Sequence, residues 1–395
     1  MEETTAAPQL SLVERDEHAM LRDAVSAIAN DFGHAYFQRV TRAGEPVREL
    51  WDALAEHGYL GVNIPVEWGG GGLGLVELAI VGEELAAAGC PLLPLLVSPG
   101  IAGTLLTRHG TTEQKERWLR GLGTGRAHYA FAITEPDAGS NSHALRLQAR
   151  RDEGRGGWRL SGTKTYISGI EDCQAIVVMA RTGEGDQPGR GRLSLFIVDV
   201  DAPGMSRQPI ETVMEAPEQQ WTLYFDDMLV EDDRLLGAEG GGLHVAFDGL
   251  NPERIMAAAT CNGIGRYALA KASAYANERV VWSQPIGAHQ GVAHPLAEAK
   301  VALEAARLMT AKAAALHDAG APAGEASNMA KLLAADAGGM AVDRAIQTHG
   351  GNGLSVEYGI ADLWWIVRLL RIAPVSREMV LNYVAQHSLG LPRSY

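Results

Sequence analysis

The chain of 395 residues is 46% apolar and 21% charged, enough to bury a large core across two or three structural units. Its formal net charge of −14 comes without any long basic run, which argues against a nucleic-acid or anionic-membrane partner. Cys90, Cys173 and Cys261 are odd in number and lack a CxxC or CxxH partner, so neither a disulfide framework nor a metal site is expected.

The N-terminal MEETTAAPQLSLVERDEH is acidic with no apolar signal region, and no window reaches ~18 uninterrupted apolar residues. A reducing, cytoplasmic setting is expected. From Ser11 to about Leu122 the pattern is helical, with apolar residues three and four apart in LRDAVSAIANDF and VRELWDALAEHGYLG. Breaks fall at Gly58 and in EWGGGGLG, Glu67 to Gly74. The glycine run lacks a Gly-Lys-Ser/Thr ending and a preceding strand, so it reads as a connection between helices and not a phosphate loop. Helices follow over Leu75 to Ala88 and about Pro94 to His109. Thr111 or Thr112 caps another, with Glu113 and Glu116 in its first turn, where the helix dipole favours acids.

Near Arg126 the pattern changes. HYAFAI, GWRLSG, AIVVMA, LSLFIVDV and WTLYFDDMLV are short, β-branched and aromatic, and separated by Gly, Pro and Asp clusters. They predict an antiparallel β domain ending near Leu236, with a polar hairpin tip at Thr182 to Arg192. After GAEGGGLH, Ala-rich amphipathic runs continue to about Leu389, and their small residues suit close antiparallel packing. The predicted class is therefore α+β and multidomain: an N-terminal all-α domain at 1–125, a middle antiparallel β domain at 126–236 and a C-terminal four-helix bundle at 237–395.

Two stretches in the β region stand out. Ala132 to Asn141, AITEPDAGSN, offers the hydroxyls of Thr134 and Ser140 around a turn shaped by Pro136 and Gly139. Gly162 to Gly169, GTKTYISG, places Tyr166 and Ser168 two apart on one strand face. Alone, these are a capped turn with a possible ligand edge.

Their order between two helical regions resembles the acyl-CoA dehydrogenase family of flavoproteins, over nearly the whole chain. LWDALAEHGYLGVNIPVEWGGGGLG is similar to that family's first recognisable segment. NERVVWSQPIGAHQ, Asn277 to Gln290, resembles its R-x-x-F-G-x-P-I-x-x-x-Q pattern, and QTHGGNG, Gln347 to Gly353, resembles its Q-x-x-G-G-x-G pattern. The resemblance implies FAD held between the β domain and the bundle, with part of the site supplied by a neighbouring subunit. Phe131, Ile133, Thr134, Tyr166 and Ser168 match positions lining the isoalloxazine ring, where N–H and O–H donors stabilise the reduced ring. Ser140 matches a position near the substrate thioester. Arg279 and Gln290 match residues reaching the pyrophosphate and adenine, and Gln347 with Gly350 and Gly351 matches the cross-subunit contact. The aromatic-Gly pair of the pattern is Trp282-Ser283 here, which keeps a flat apolar surface and adds a side chain.

The resemblance also implies α,β-dehydrogenation of an acyl-CoA to the 2-enoyl-CoA, part of fatty acid metabolism, in a homotetramer, homodimer or mixed oligomer. An electron-transfer flavoprotein is the implied acceptor. A carboxylate must take the α-proton. In many members it lies about two dozen residues past the GGxG, where this chain has Pro374. A second family arrangement supplies it as Glu-Arg from an earlier helix, matching Glu253 and Arg254 in LNPERIM and pointing to branched or bulky acyl groups. The residues alone also fit an ordinary helix start, with Asn251 as N-cap and Pro252 in the first turn. Its dipole would lower the proton affinity of Glu253. Glu357 and Glu378 are further acids in range. The alternative reading is a FAD-binding member without dehydrogenase activity, either an inactive subunit or an oxygen-using flavoenzyme. A flavin-free scaffold fits the intact motifs least.

Overall fold

The computed structural model describes residues 14–185 and 190–393. Most of the acidic N-terminal stretch and the centre of the hairpin tip, 186–189, lie outside the described residues. The N-terminal part carries α1 (Asp16–Ala43), α2 (Arg48–Glu56) and α3 (Leu75–Ala87), then π-helical turns at Leu96–Gly103 continuing into α4 (Thr104–His109). The short α5 (Thr112–Gln114) and α6 (Arg120–Gly123) follow, and Thr111 caps α5 by accepting the Gln114 N–H at 3.2 Å. Helix α3 is buried on nearly every face. Leu78, Val81 and Leu85 are fully buried, each worth about 2 kcal/mol of transfer free energy.

The buried acids Glu83 and Glu84 are each hydrogen-bonded by arginines from distant elements, Arg307 on Glu83 at 2.6 Å and Arg266 on Glu84 at 2.6 Å. This pairing lets an acidic pair sit inside the molecule. The glycine run is a packing device. A Cβ at Gly70 would sit 2.2 Å from the Ile64 carbonyl oxygen, and one at Gly74 would sit 2.3 Å from an Asp318 carboxylate oxygen. Asp318 needs that space because it accepts the Leu75 and Val76 N–H groups at 2.8 and 2.9 Å, capping α3 from another helix.

The middle region forms one eight-stranded sheet: β1 (Tyr129–Ala132), β2 (Gln148–Arg151), β3 (Trp158–Ser168), β4 (Ala175–Glu184), β5 (Gly191–Asp199), β6 (Met205–Ile210), β7 (Gln220–Val230) and β8 (Leu235–Leu236). The spatial order is β6-β7-β3-β2-β4-β5-β8, with β1 beside β4. Most pairings are antiparallel, while β1 and β2 each run parallel to β4. Both faces are apolar. In β4, Val177 and Met179 join the core shared with the helices, while Ile176 and Val178 join a second core with Trp158 and Phe225.

The last part holds α7 (Gly242–Glu278), a small hairpin of β9 (Val280–Val281) and β10 (Gln284–Pro285), then α8 (Gln290–Asp318), α9 (Gly324–His349), α10 (Asp362–Ile372) and α11 (Arg377–Tyr383). Three long helices, α7, α8 and α9, pack closely, with α10 as the shorter fourth. The helix start expected at Asn251 and Pro252 is corrected here. Helix α7 begins at Gly242 and Pro252 lies inside it. Gly242 packs so tightly on Ser194 that a Cβ would lie 2.6 Å from its Cα, so contact with the sheet, and not a local cap, fixes where the helix begins. Among the described residues no helix is long and apolar enough to cross a membrane.

One buried pair joins the two stretches singled out by the sequence. Lys164 of GTKTYISG is fully buried and donates to Glu135 of AITEPDAGSN at 2.8 Å and to the Ile133 carbonyl at 2.9 Å. Glu135 also accepts the N–H groups of Arg146 and Leu147 at 2.6 and 2.9 Å. Removing one partner leaves the other charge buried alone. We expect Glu135→Ala to lower stability by about 3–5 kcal/mol, read from the denaturant midpoint at neutral pH. The double variant Glu135→Leu/Lys164→Met should recover most of it; a loss below about 1 kcal/mol in the single variant would show the pair to be dispensable.

Candidate active site

The first group of expected site residues comes together at the end of β1 and of β3. The Thr165 N–H donates to the Thr134 carbonyl at 3.0 Å, stitching the two stretches directly. A register shift between Lys164 and Ile167 leaves Tyr166 at φ 56° with its ring 63% exposed, while Ile167 is buried and Ser168 half-buried. Phe131 and Ile133 are half-buried on the core beneath, and Ser140 is exposed on the turn. Thr134 is half-buried, and no described residue hydrogen-bonds its N–H or hydroxyl. Free donors beside an outward-facing aromatic ring fit the polar edge and flat face of a flavin.

Glu253 lies in the fourth turn of α7, on a stripe with Gly249, Leu250 and Met256. A Cβ at Gly249 would lie 2.8 Å from Ile101, and Met256 packs on Gly82 and Gly100. Leu250 packs in the same cluster as Phe131 and Ile133. That stripe therefore turns Glu253 toward the 96–103 turns and the first group. Burial pushes its carboxyl up to about 7, against the opposing pull of Arg254 and Lys331. The sequence-based expectation of a dipole-lowered acid is corrected: Glu253 sits more than two turns inside the helix, where desolvation outweighs the terminal dipole. Arg254 is buried, donates to Asn251 Oδ1 at 2.9 Å, and leaves its Nε without a partner. Glu357 and Glu378 are exposed, unlike Glu253.

The second group gathers at the opposite end of the bundle. Tyr275 links it: its ring stacks on His349 at 4.3 Å, its hydroxyl accepts from Asn352 at 3.2 Å, and its carbonyl accepts the Arg279 N–H at 2.8 Å. Arg279, Trp282, Gln290, Gln347, Gly350 and Gly351 are all exposed, Trp282 at 85%. Gly350 takes φ 59°, which glycine allows, and nothing lies within 4 Å of a Cβ at Gly350 or Gly351. Arg279 makes no ion pair among the described residues. Along α7, Arg279 stands 26 residues beyond Glu253, about 39 Å at 1.5 Å per residue. One chain does not bring the two groups together.

A cavity of 1080 Å³ opens between α2 and the sheet, bounded by Trp51, Val97, Ser98, His128, Ser168 and Glu218. It therefore touches both the flavin-edge candidate Ser168 and the 96–103 turns that pack on the Glu253 stripe. Two further buried ionisable groups were not anticipated from the sequence. Lys331, 1% exposed, donates to the carbonyls of Arg371 and Val375 at 3.1 and 2.5 Å, holding the turn that contains Pro374; burial lowers it to about 8. Its place on the buried face of α9, one residue after Ala330 and three before Ala334, was the available signal. Glu218 is the other.

Family models for the acyl-CoA dehydrogenase N-terminal, middle and C-terminal domains match residues 15–126, 130–228 and 240–389. The chain is 51% identical over 387 residues to acyl-CoA dehydrogenase FadE12 of Mycobacterium tuberculosis, covering 98% of this chain and 99% of that protein. It is similar in structure to butyryl-CoA dehydrogenase from Megasphaera elsdenii, with a TM-score of 0.89, 25% identity, and coverage of 96% and 100%. It is likewise similar to the FAD complex of PigA, with a TM-score of 0.89, 25% identity, and coverage of 97% and 100%.

Because the Lys331 charge opposes protonation of Glu253, Lys331→Met should move the Glu253 carboxyl above about 7. Carboxyl titration by carbon NMR on selectively labelled protein would show it; an unchanged or lower value would mean the two groups do not interact.

Proposed function

This chain belongs to the acyl-CoA dehydrogenase family, and we propose that Glu253 takes the α-proton of an acyl-CoA thioester as the β-hydrogen leaves as hydride, giving the 2-enoyl-CoA. It is an acyl-CoA dehydrogenase that uses FAD. When bound, FAD supplies the hydride acceptor. The observation that carries the reading is the position and proton affinity of Glu253: a half-buried acid on the helix stripe facing the 96–103 turns, poised at about 7. A base whose pKa lies near the working pH is ionised often enough to act, yet still holds the proton it takes. Thioester binding would displace more water from it and raise its basicity further.

Arg254 acts as a positioning residue: buried, tied to Asn251, and with an Nε that no described residue partners. Thr134 and Ser168 would hold the flavin's polar edge, Phe131, Ile133 and Tyr166 its ring, and Ser140 the thioester side. Arg279, Trp282, Gln290, Gln347, Gly350 and Gly351 would meet the phosphates and adenine of a cofactor seated in a neighbouring copy, because about 39 Å of α7 separates them from the Glu253 turn. That reading supports a homodimer or homotetramer, and the exposed Trp282 and glycine backbone supply the surface.

The domain limits 1–125, 126–236 and 237–395, a branched or bulky acyl group, an electron-transfer flavoprotein as acceptor, a cytoplasmic location and a place in fatty acid metabolism complete the proposal. Pro374 supports the branched acyl reading, since the turn that would otherwise present an acid carries none.

Two measurements test the chemistry. In anaerobic mixing with acyl-CoA, Glu253→Gln should keep its flavin absorbance but lose at least a hundredfold in the rate at which that absorbance falls, as expected for removal of a general base. In the wild type, kcat/KM should rise as pH passes upward through about 7, since only the ionised carboxylate accepts a proton and kcat/KM reports the free enzyme. Unchanged reduction kinetics in the variant would remove Glu253 from the mechanism and favour the FAD-binding reading without dehydrogenation.

A further inference from the structure

Glu218, in the loop before β7, lines the cavity and is 7% exposed, yet neither carboxyl oxygen has a hydrogen-bond partner in another residue. Its neighbours are otherwise engaged. Glu171 accepts from the Gln219 N–H at 2.9 Å and Trp221 Nε1 at 2.6 Å, and Asp172 pairs with Arg48 at 3.4 Å. Across the cavity, the His128 ring lies against Trp51 with centroids 3.9 Å apart, and burial lowers the histidine to about 4, so it is neutral. Trp51 gives its own N–H to the Gly125 carbonyl, and so presents only its ring.

A buried polar group without a partner costs roughly 1–3 kcal/mol, and folded proteins rarely keep one without a use. Burial, reinforced by the like charges of Glu171 and Asp172, pushes Glu218 up to about 8. At neutral pH it is therefore mostly a carboxylic acid, with one O–H to give and one oxygen to receive. The matching ligand group is a hydroxyl, which can also do both. A carboxylate tail would meet Glu171 and Asp172, and an alkyl tail would leave Glu218 unsatisfied.

Resting on the dehydrogenase reading, which puts the flavin's polar edge at Ser168 on this cavity's wall and Glu253 behind the 96–103 turns whose Val97 and Ser98 also line it, we propose that the cavity receives the far end of the acyl group. Glu218 there selects a tail bearing a neutral hydroxyl over a plain alkyl or carboxylate tail.

The test compares straight-chain acyl-CoAs with their ω-hydroxy and ω-carboxy counterparts of equal length on the FAD-loaded enzyme, by anaerobic flavin reduction and by calorimetric binding. In the wild type, at least one chain length should favour the ω-hydroxy form about tenfold or more over the alkyl form, the value of one hydrogen bond to a desolvated partner. Glu218→Leu should collapse that ratio, while Glu218→Gln, which still donates and accepts, should retain most of it. Glu218→Leu removes an unpaired polar group from the interior and should melt no lower than the wild type, so a lost preference would not reflect unfolding. Equal ratios in wild type and Glu218→Leu, with flavin still reduced, overturn this inference and leave the dehydrogenase reading standing. A Glu218-dependent binding preference without flavin reduction supports the subsite and overturns the reaction.

Discussion

The buried Lys164–Glu135 pair is the constraint on which the site depends. It joins a turn without regular structure, where Thr134 keeps its donors free, to a long strand that ends in the exposed Tyr166 and in Ser168, whose hydroxyl bonds Gln220. An ion pair in a low-dielectric interior is not by itself a source of stability, since both charges give up their water. Here the geometry is completed by two backbone N–H groups on Glu135 and a backbone carbonyl on Lys164. Every member has a partner that only this arrangement supplies, so sliding one stretch against the other would strand a charge. The register of Thr134 against Ser168 is thereby fixed before any ligand arrives, which is what preorganised binding requires.

Two buried carboxyls and one half-buried one show how one chain gives the same functional group different surroundings. Glu135 sits opposite a lysine and serves structure. Glu253 has two cations within electrostatic reach, Arg254 and Lys331, yet is hydrogen-bonded by neither, so burial prevails only partly and leaves it near neutrality. Glu218 has no compensating cation and stands higher still, at about 8. The difference between Glu253 and Glu218 follows desolvation against nearby charge and owes nothing to sequence position. One ion-paired carboxylate and two raised carboxyls are thus set apart by their surroundings.

Much of this was legible in the chain. The AITEPDAGSN and GTKTYISG stretches, the α-β-α order and the Glu-Arg pair all carry local signals: turn residues, β-branched runs, and motif spacing. What escaped was set by distant contacts. Asn251-Pro252-Glu253 has the composition of a helix start, and only the packing of Gly242 on Ser194 and of Gly249 on Ile101 shows that the helix is already under way. Lys164 carried no signal of burial, because nothing local announces that Glu135 is its partner. Glu218 likewise carried no local signal, and its isolation appears only in the fold, where it shares a cavity wall with α2. The glycine run was correctly read as a connection, though its reason, the room needed by Asp318 and the Ile64 carbonyl, lies in other elements.

The length of α7 then decides how the pieces can combine. Its first turns press on the sheet and its last turns carry Tyr275 and Arg279, and a straight helix cannot shorten the interval of about 39 Å between Glu253 and Arg279. A cofactor seated as proposed, with Thr134 at one end and the Arg279 cluster at the other, would therefore take the second set from another copy, in which the same helix presents its far end. Symmetric association supplies that arrangement, because each copy then gives one half of a site and receives the complementary half. On the proposed association, weakening the contact between copies and weakening cofactor binding would be the same event, and a substitution at Trp282 would act on the flavin without touching the residues proposed to surround its ring.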